Sequence, residues 1–397
     1  MQSTEINNKN IRIGYSLSLT GPVAENTKSA RLAHQIWETD INKRGGLLGK
    51  RVELICIDDQ GDASKVPAIY EDLMDNIKVD LVIGGYGTNT IAASMPAVIQ
   101  RNRLLIGLMG LGVNGVMQYP NYFAMIPTGP SPNSALTEGF FELAAEQTPK
   151  PLTIAILSAD AEFSRNPVIG AKENAEKYGM AIVYEQTYPL STDDFTLILA
   201  DIKASNADIL FLCSYLKDSV LLVKSIAKSD YQPMMVGGAM IGPQSASIKK
   251  ELGPLLNGFV NYEYWLPVPK MNFSGVSEML LEYQNLADHN AVDELGFYVA
   301  PLAYAQMQVL EQAVTATESL NDHVLAKYLR EQEFETVAGI VRFGKGGEWE
   351  LPRILQTQFQ NITNNEINQF KDSSVQVVVS PKVYSSASLI YPYSSAK

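Results

Sequence analysis

The chain is short of cysteine and histidine and has no long apolar run, and each shortage closes off a class of function. Only Cys56 and Cys213 occur among 397 residues, far apart and each inside a strand-like run. No disulfide framework follows, and both read as buried apolar thiols. The three histidines, His34, His289 and His323, fall in no HExxH or Cys/His ligand spacing. They are expected on the surfaces of helices, so no metal and no cofactor is expected. The sequence contains no G-x-S-x-G nucleophile elbow, and Asp58-Asp59-Gln60-Gly61-Asp62 lacks the spacing and closing glutamate of an EF-hand loop. No apolar run approaches the roughly 20 residues needed to cross a bilayer. Basic residues are outnumbered 31 to 43, a net charge of −12. No Lys/Arg stripe with interleaved aromatics offsets this, which argues against nucleic-acid and anionic-membrane partners. The opening MQSTEINNKN has neither a basic n-region nor an apolar h-region, so the expectation is a cytoplasmic protein or one whose export signal has been trimmed.

What is present is apolar content: 46% of a chain this long can bury more than one core usually organises, and two domains are expected. Strand-like runs alternate with amphipathic helical runs, the signature of βαβ units and mostly parallel sheets. The series occurs twice. The first set of strands is 11–17, 52–57, 81–83, 104–108 and 122–126, with helices near 30–42, 64–76 and 88–102. The second is 153–157, 181–184, 209–212, 234–236 and 258–262, with helices near 167–178, 194–204 and 218–229. Pro127, Pro130 and Pro132 mark the passage between sets, and Pro267 and Pro269 close the second. Helices return near 276–286, 297–317 and 323–331, followed by a hairpin with its turn at Gly344-Lys345-Gly346-Gly347. Each open sheet places a crevice at the carboxyl ends of its strands.

The most informative stretch is DLVIGGYGTNTIAAS, Asp80 to Ser94. An apolar run breaks at Gly84-Gly85, turns through Tyr86-Gly87 and enters a helix at Thr88-Asn89-Thr90. Orphan backbone donors, the positive end of the helix dipole and the hydroxyls of Thr88 and Thr90 converge there, which suits a carboxylate without any metal. Gly110-Leu111-Gly112-Val113-Asn114-Gly115 is a literal G-x-G-x-x-G after a strand and supports a remote NAD-dependent oxidoreductase alternative. Its context opposes that reading, because Pro120 and the aromatic run 119–123 follow where a helix should open on pyrophosphate.

Four motifs, IRIGYSLSLTGPVAENT, INKRGGLLGKRVELICIDDQGD, VIGGYGTNTIAASMP and STDDFTLILADIKASNADILFL, stand in the order seen in the type I periplasmic binding proteins. Over roughly residues 11–349 the chain resembles the branched-chain amino-acid binding proteins of ABC transporters. The resemblance implies an α/β fold of two doubly wound, mostly parallel-sheet lobes joined by a three-crossover hinge. Lobe 1 would be residues 10–130 plus 265–340, and lobe 2 residues 131–264 plus 341–397. It implies that a ligand carboxylate is held in lobe 1 by Tyr86, Gly87 and Thr88 and by the loop holding Met109, Gly110 and Leu111. Thr88 replaces the family serine and keeps its hydroxyl. Leu111 replaces a family threonine and cannot donate from its side chain, which leaves backbone donors around Met109 and Gly110 to serve. In lobe 2 the aromatic wall falls on Phe163 and Tyr215, and the glutamate that answers an α-ammonium falls on Ala239. A buried ammonium without a counter-charge is costly, so the reading leans to an aromatic or apolar acid unless Asp160, Glu162, Asp293 or Glu294 stands in. Trp265 and Tyr298 offer further ring surface.

The function so implied is that of a non-enzymatic, monomeric solute-binding protein of an ABC importer. It would work in the periplasm or at the extracellular surface, capturing a small carboxylate-bearing ligand by hinge closure and presenting it to a membrane permease without entering the membrane itself. A cytoplasmic ligand sensor of the same fold is the alternative.

Overall fold

A computed structural model describes residues 10–290 and 292–396. The leader expectation concerns residues that lie, except for Asn10, outside that range. The chain forms two compact units: residues 1–125, 274–292 and 299–350 make unit 1, and residues 126–273, 293–298 and 351–397 make unit 2.

Unit 1 opens with strands β1 (Ile11–Leu17), β2 (Val52–Asp58), β3 (Leu81–Val82), β4 (Leu105–Gly107) and β5 (Tyr122–Ala124). Between them run helices α1 (Ala24–Lys43), α2 (Val66–Asp75), α3 (Thr88–Gln100) and the single turn α4 (Asn114–Met117). Strand β1 pairs in parallel with β2 and β3, and β4 pairs in parallel with β5. The Gly84 N–H donates to the Ile106 carbonyl at 2.8 Å and carries the sheet across from the β3 segment to β4. Covered on both faces, a parallel strand has no polar side to show, and six of the seven residues of IRIGYSL are buried.

Unit 2 follows the same scheme. It contains α5 (Pro132–Ala145), β6 (Thr153–Ala159), α6 (Glu162–Tyr178), β7 (Ala181–Tyr188), α7 (Thr196–Ala204), β8 (Ile209–Ser214), α8 (Leu216–Lys228), β9 (Met235–Met240), α9 (Ala246–Leu252) and β10 (Val260–Glu263). The chain then returns to unit 1 for α10 (Val276–Asn290), α11 (Ala300–Thr317), α12 (Asp322–Glu331) and the hairpin β11 (Glu333–Thr336) and β12 (Gly339–Arg342). It ends in unit 2 with β13 (Leu355–Phe359) and β14 (Gln376–Ser380). The seven-stranded sheet of unit 2 runs β14-β13-β10-β9-β8-β6-β7, parallel from β10 to β7 and antiparallel at β13 and β14. Phe140, Phe141 and Phe211 meet at its centre with ring centroids 5.5–5.9 Å apart.

Several elements differ from the sequence expectation. Pro132, read as part of a passage between sets, opens α5 at a first-turn position where its missing N–H costs nothing. Helix α1 begins at Ala24, before the expected 30, because Asn26, Thr27 and Ser29 are polar residues turned inward. The hairpin turn falls at Val337-Ala338. Gly344 to Gly347 form a second turn, closed by the Phe343–Trp349 bridge. The serine- and tyrosine-rich tail is built into unit 2: β14 is the outer strand, and Gln358 and Gln360 donate to the carbonyls of Ile390 and Ser388, each at 2.9 Å. His34 is not on a surface but fully buried.

Cys213 is buried in β8 and Cys56 partly buried in β2, both as free thiols. Burial pushes each up to about 12, so neither forms a thiolate at neutral pH. No helix among the described residues is long and apolar enough to cross a membrane.

Candidate functional site

In unit 1 the glycine-rich turn follows β3. A Cβ on Gly85 would lie 2.1 Å from the Ser16 carbonyl oxygen, so only glycine lets this strand end sit against β1. Gly87, the residue before α3, has φ +96°, and a Cβ there would meet nothing within 4 Å. The backbone conformation asks for glycine, and the space beside it is open. No side chain caps α3, and its first helical bond runs from the Ile91 N–H to the Gly87 carbonyl. The amides of Thr88, Asn89 and Thr90 therefore lie outside the helical ladder, at the positive end of a 13-residue dipole.

The side chains around the turn are fixed. Asn26, which the sequence reading passed over, donates from Nδ2 to the Tyr86 hydroxyl at 3.0 Å. The Thr90 hydroxyl donates to the Tyr86 carbonyl at 2.7 Å. That bond spends the hydroxyl expected to face a ligand, and Thr90 serves the turn instead. The Thr88 Oγ1 accepts from the Leu111 N–H at 3.1 Å, which ties the turn to the loop after β4 and leaves the Thr88 proton to donate. The Leu111 amide, next to the Met109 and Gly110 donors expected from the sequence, is thereby engaged by Thr88. Met109 and Gly110 precede it in the same loop, with Gly110 over the buried Tyr122 ring, whose hydroxyl is 2.8 Å from where a Gly110 Cβ would stand. After this loop comes only α4, a single turn, where a dinucleotide site needs a long helix.

In unit 2, Phe163 in the first turn of α6 meets Tyr215 edge to face, with centroids 6.2 Å apart and planes at 86°. Tyr215 is held as the residue before α8, where its N–H donates to Asp218 Oδ1 at 3.0 Å. Asp218 is anchored in turn by the Tyr188 hydroxyl at 2.6 Å. Ala239 sits on β9, 1% exposed. Its neighbour Gly238 has φ +127° and faces the Phe211 ring, 2.5 Å from where a Cβ would be, so the small residues here answer to core packing. Tyr298 stacks on Tyr264 at 6.0 Å and 16°. Trp265 packs on Phe297 at 5.5 Å, and its indole N–H donates to the Met271 carbonyl at 2.9 Å. That bond commits the polar edge of the Trp265 ring to the fold.

The acids considered as partners for an ammonium are occupied or exposed. Asp293 Oδ1 accepts from Leu295 and Gly296 N–H at 2.9 and 2.7 Å, and Oδ2 accepts from Ala246 N–H at 2.5 Å. Glu162 pairs with Arg165 and Glu294 with Lys250 at the surface, and Asp160 is exposed. The sequence reading overlooked Glu263, at the end of β10. It is buried with Lys249, accepts from Gln376 Nε2 at 2.9 Å, and is pushed up to about 7 by desolvation against the pull of Lys249.

A family model described as periplasmic binding protein matches residues 10–350. The chain is 22% identical over 369 residues to Leu/Ile/Val-binding protein homolog 8 of Brucella abortus, with 88% of each chain covered. Its fold is similar to that of the branched-chain amino acid transporter substrate binding protein LivJ from Streptococcus pneumoniae, solved with isoleucine. There the TM-score is 0.75 at 17% identity, covering 94% of this chain and 100% of that one. It is equally similar to an ABC transporter solute binding protein from R. palustris solved with benzoate, at TM-score 0.75 and 13% identity over 94% and 96% of the two chains.

Proposed function

This chain belongs to the periplasmic binding protein family, and on that premise we propose that it is the solute-binding component of an ABC importer, taking a small carboxylic acid by hinge closure. It acts outside the cytoplasmic membrane, hands its ligand to a permease and carries out no chemistry on it. The observation that carries the reading is the turn at Gly87-Thr88: free first-turn amides, an open side at Gly87 and a hydroxyl proton left to donate. Isoleucine and benzoate, bound by the two similar proteins, share a carboxylate and little else. Charge-assisted hydrogen bonds of about 1.5–3 kcal/mol each fix such a group. In unit 2, Phe163, Tyr215, Ala239, Trp265 and Tyr298 supply the selecting surface. That surface is aromatic and apolar, and Ala239 brings no acid, which favours an aromatic or aliphatic acid over a plain α-amino acid.

Calorimetry with benzoate, aliphatic acids and L-leucine tests both parts. Benzoate or an aliphatic acid binds more tightly than leucine, and Thr88→Ala weakens the bound acid about tenfold or more while the fold, followed by circular dichroism, is retained. Leucine binding alone would refute the selectivity, and an unaltered Thr88→Ala would remove the turn from the site.

A further inference from the structure

Beneath the candidate site, the carbonyls of Gly84 and Ile106 point at one side chain, Gln306 of α11. Its Nε2 donates to Gly84 O at 2.8 Å and to Ile106 O at 2.6 Å. The first carbonyl lies just before the Tyr86–Thr88 turn, and the second just before the Met109–Leu111 loop. Gln306 is fully buried, as is its own partner His34 of α1, whose Nε2 stands 3.0 Å from Gln306 Oε1. Two carbonyl acceptors on one side of the amide require its NH2 to face them, so Oε1 faces His34, which must donate from Nε2–H. His34 Nδ1 is then the bare nitrogen, and it is buried with no hydrogen-bond partner. The ring is braced edge to face by Tyr15 at 5.1 Å.

We propose that Gln306, oriented by His34, is a positioning residue that sets the spacing between the turn and the loop of the candidate acid site; this rests on the reading of that turn as the carboxylate site. The two segments are then joined at two levels. Gln306 clamps them at the strand ends, and the Thr88 to Leu111 bond closes them at the rim. Without the donor from His34 the amide is free to turn over, and its oxygen would then confront two carbonyl oxygens.

Amide hydrogen exchange on the ligand-free full chain reads the clamp directly. In Gln306→Leu and His34→Leu, exchange over residues 84–90 and 106–112 rises at least tenfold, while β6, β8 and α12 keep wild-type rates. In His34→Gln, whose side-chain N–H can replace the histidine donor, the two segments return toward wild type. Unchanged exchange in these segments, or an equal rise throughout unit 1, would overturn the proposal. In a second arm, Gln306→Leu loses at least fivefold in affinity for whichever of benzoate or L-leucine the wild type binds, and retained affinity also overturns it. If the wild type binds neither probe, the ligand reading fails, and the exchange arm alone decides the clamp.

Discussion

At the scale of single residues, the site depends on which groups have been spent and which are left. Thr88 and Thr90 carry the same hydroxyl two positions apart, yet Thr90 gives its proton to the Tyr86 carbonyl while Thr88 only receives one from Leu111. A sequence motif shows both hydroxyls and cannot show this division. Similarly, Glu348 in unit 1 is 7% exposed, and its Oε2 has no hydrogen-bond partner. Desolvation pushes its carboxyl from an ordinary 4.5 up to about 8. A raised acid favours the folded state in its protonated form. That stability is complete below the unfolded value and is lost as pH rises from about 4.5 to about 8. Glu348→Gln keeps the shape without the charge. Its melting temperature is expected to match wild type near pH 4.5 and to exceed it progressively up to pH 8, by several degrees, in parallel calorimetric scans. His34, held down to about 4 by burial, has the opposite dependence, gaining stability as pH rises toward 6.5, and cancels from the comparison because both proteins carry it.

At the scale of elements, the sequence was most readable where a parallel strand is buried on both faces. The sequence pattern bounds Ile11–Leu17 to the residue and places the first residue of the helix at Thr88. It was least readable where polar residues face inward. Strand β13 reads Leu-Gln-Thr-Gln-Phe, and all five residues are buried, because Gln356, Gln358 and Thr357 find partners within unit 2. No hydrophobic period marks such a strand. His34 and Gln306 escaped for the same reason: on amphipathic helices a buried polar residue looks like a solvated one until its partner, 272 positions away, is in place. The aromatic candidates Phe163 and Tyr215 do meet, whereas the polar edge of Trp265 proved to be committed to Met271. Strand β14 yields a prediction of its own. It buries Val377, Val378 and Val379, and beyond it Tyr393 packs edge-on against Phe259. Ending the chain after Ser374 strips β13 of its outer partner. Each kcal/mol so lost lowers a midpoint by roughly 2–4 °C at this size, and a drop of about 10 °C or more is expected by circular dichroism. A midpoint within a degree or two of wild type would show that the tail contributes nothing to the sheet.

At the scale of the whole molecule, the net charge of −12 works against an anionic ligand approaching from solution, even though the turn proposed to receive it is locally positive. Helix-terminal partial charges act within a turn, while the net charge acts over a Debye length of about 10 Å at 0.1 M salt. The association rate of an acid such as benzoate is therefore expected to rise about twofold or more between 10 and 300 mM salt, with stopped-flow fluorescence as the measurement. A rate that falls with salt would mean that local fields at the entrance dominate.

The division of the chain also governs when it can fold. The first 125 residues hold β1 to β5, but the helix that caps them, α11, and the stretch that completes the unit come from residues 299–350. The Trp37 indole waits for Glu311, 274 positions on, and His34 for Gln306, 272 positions on. At roughly 5–20 residues per second, that leaves a nascent amino-terminal half without its partners for on the order of tens of seconds. Interleaved connectivity is thus a built-in delay before the amino-terminal half can commit to its compact form.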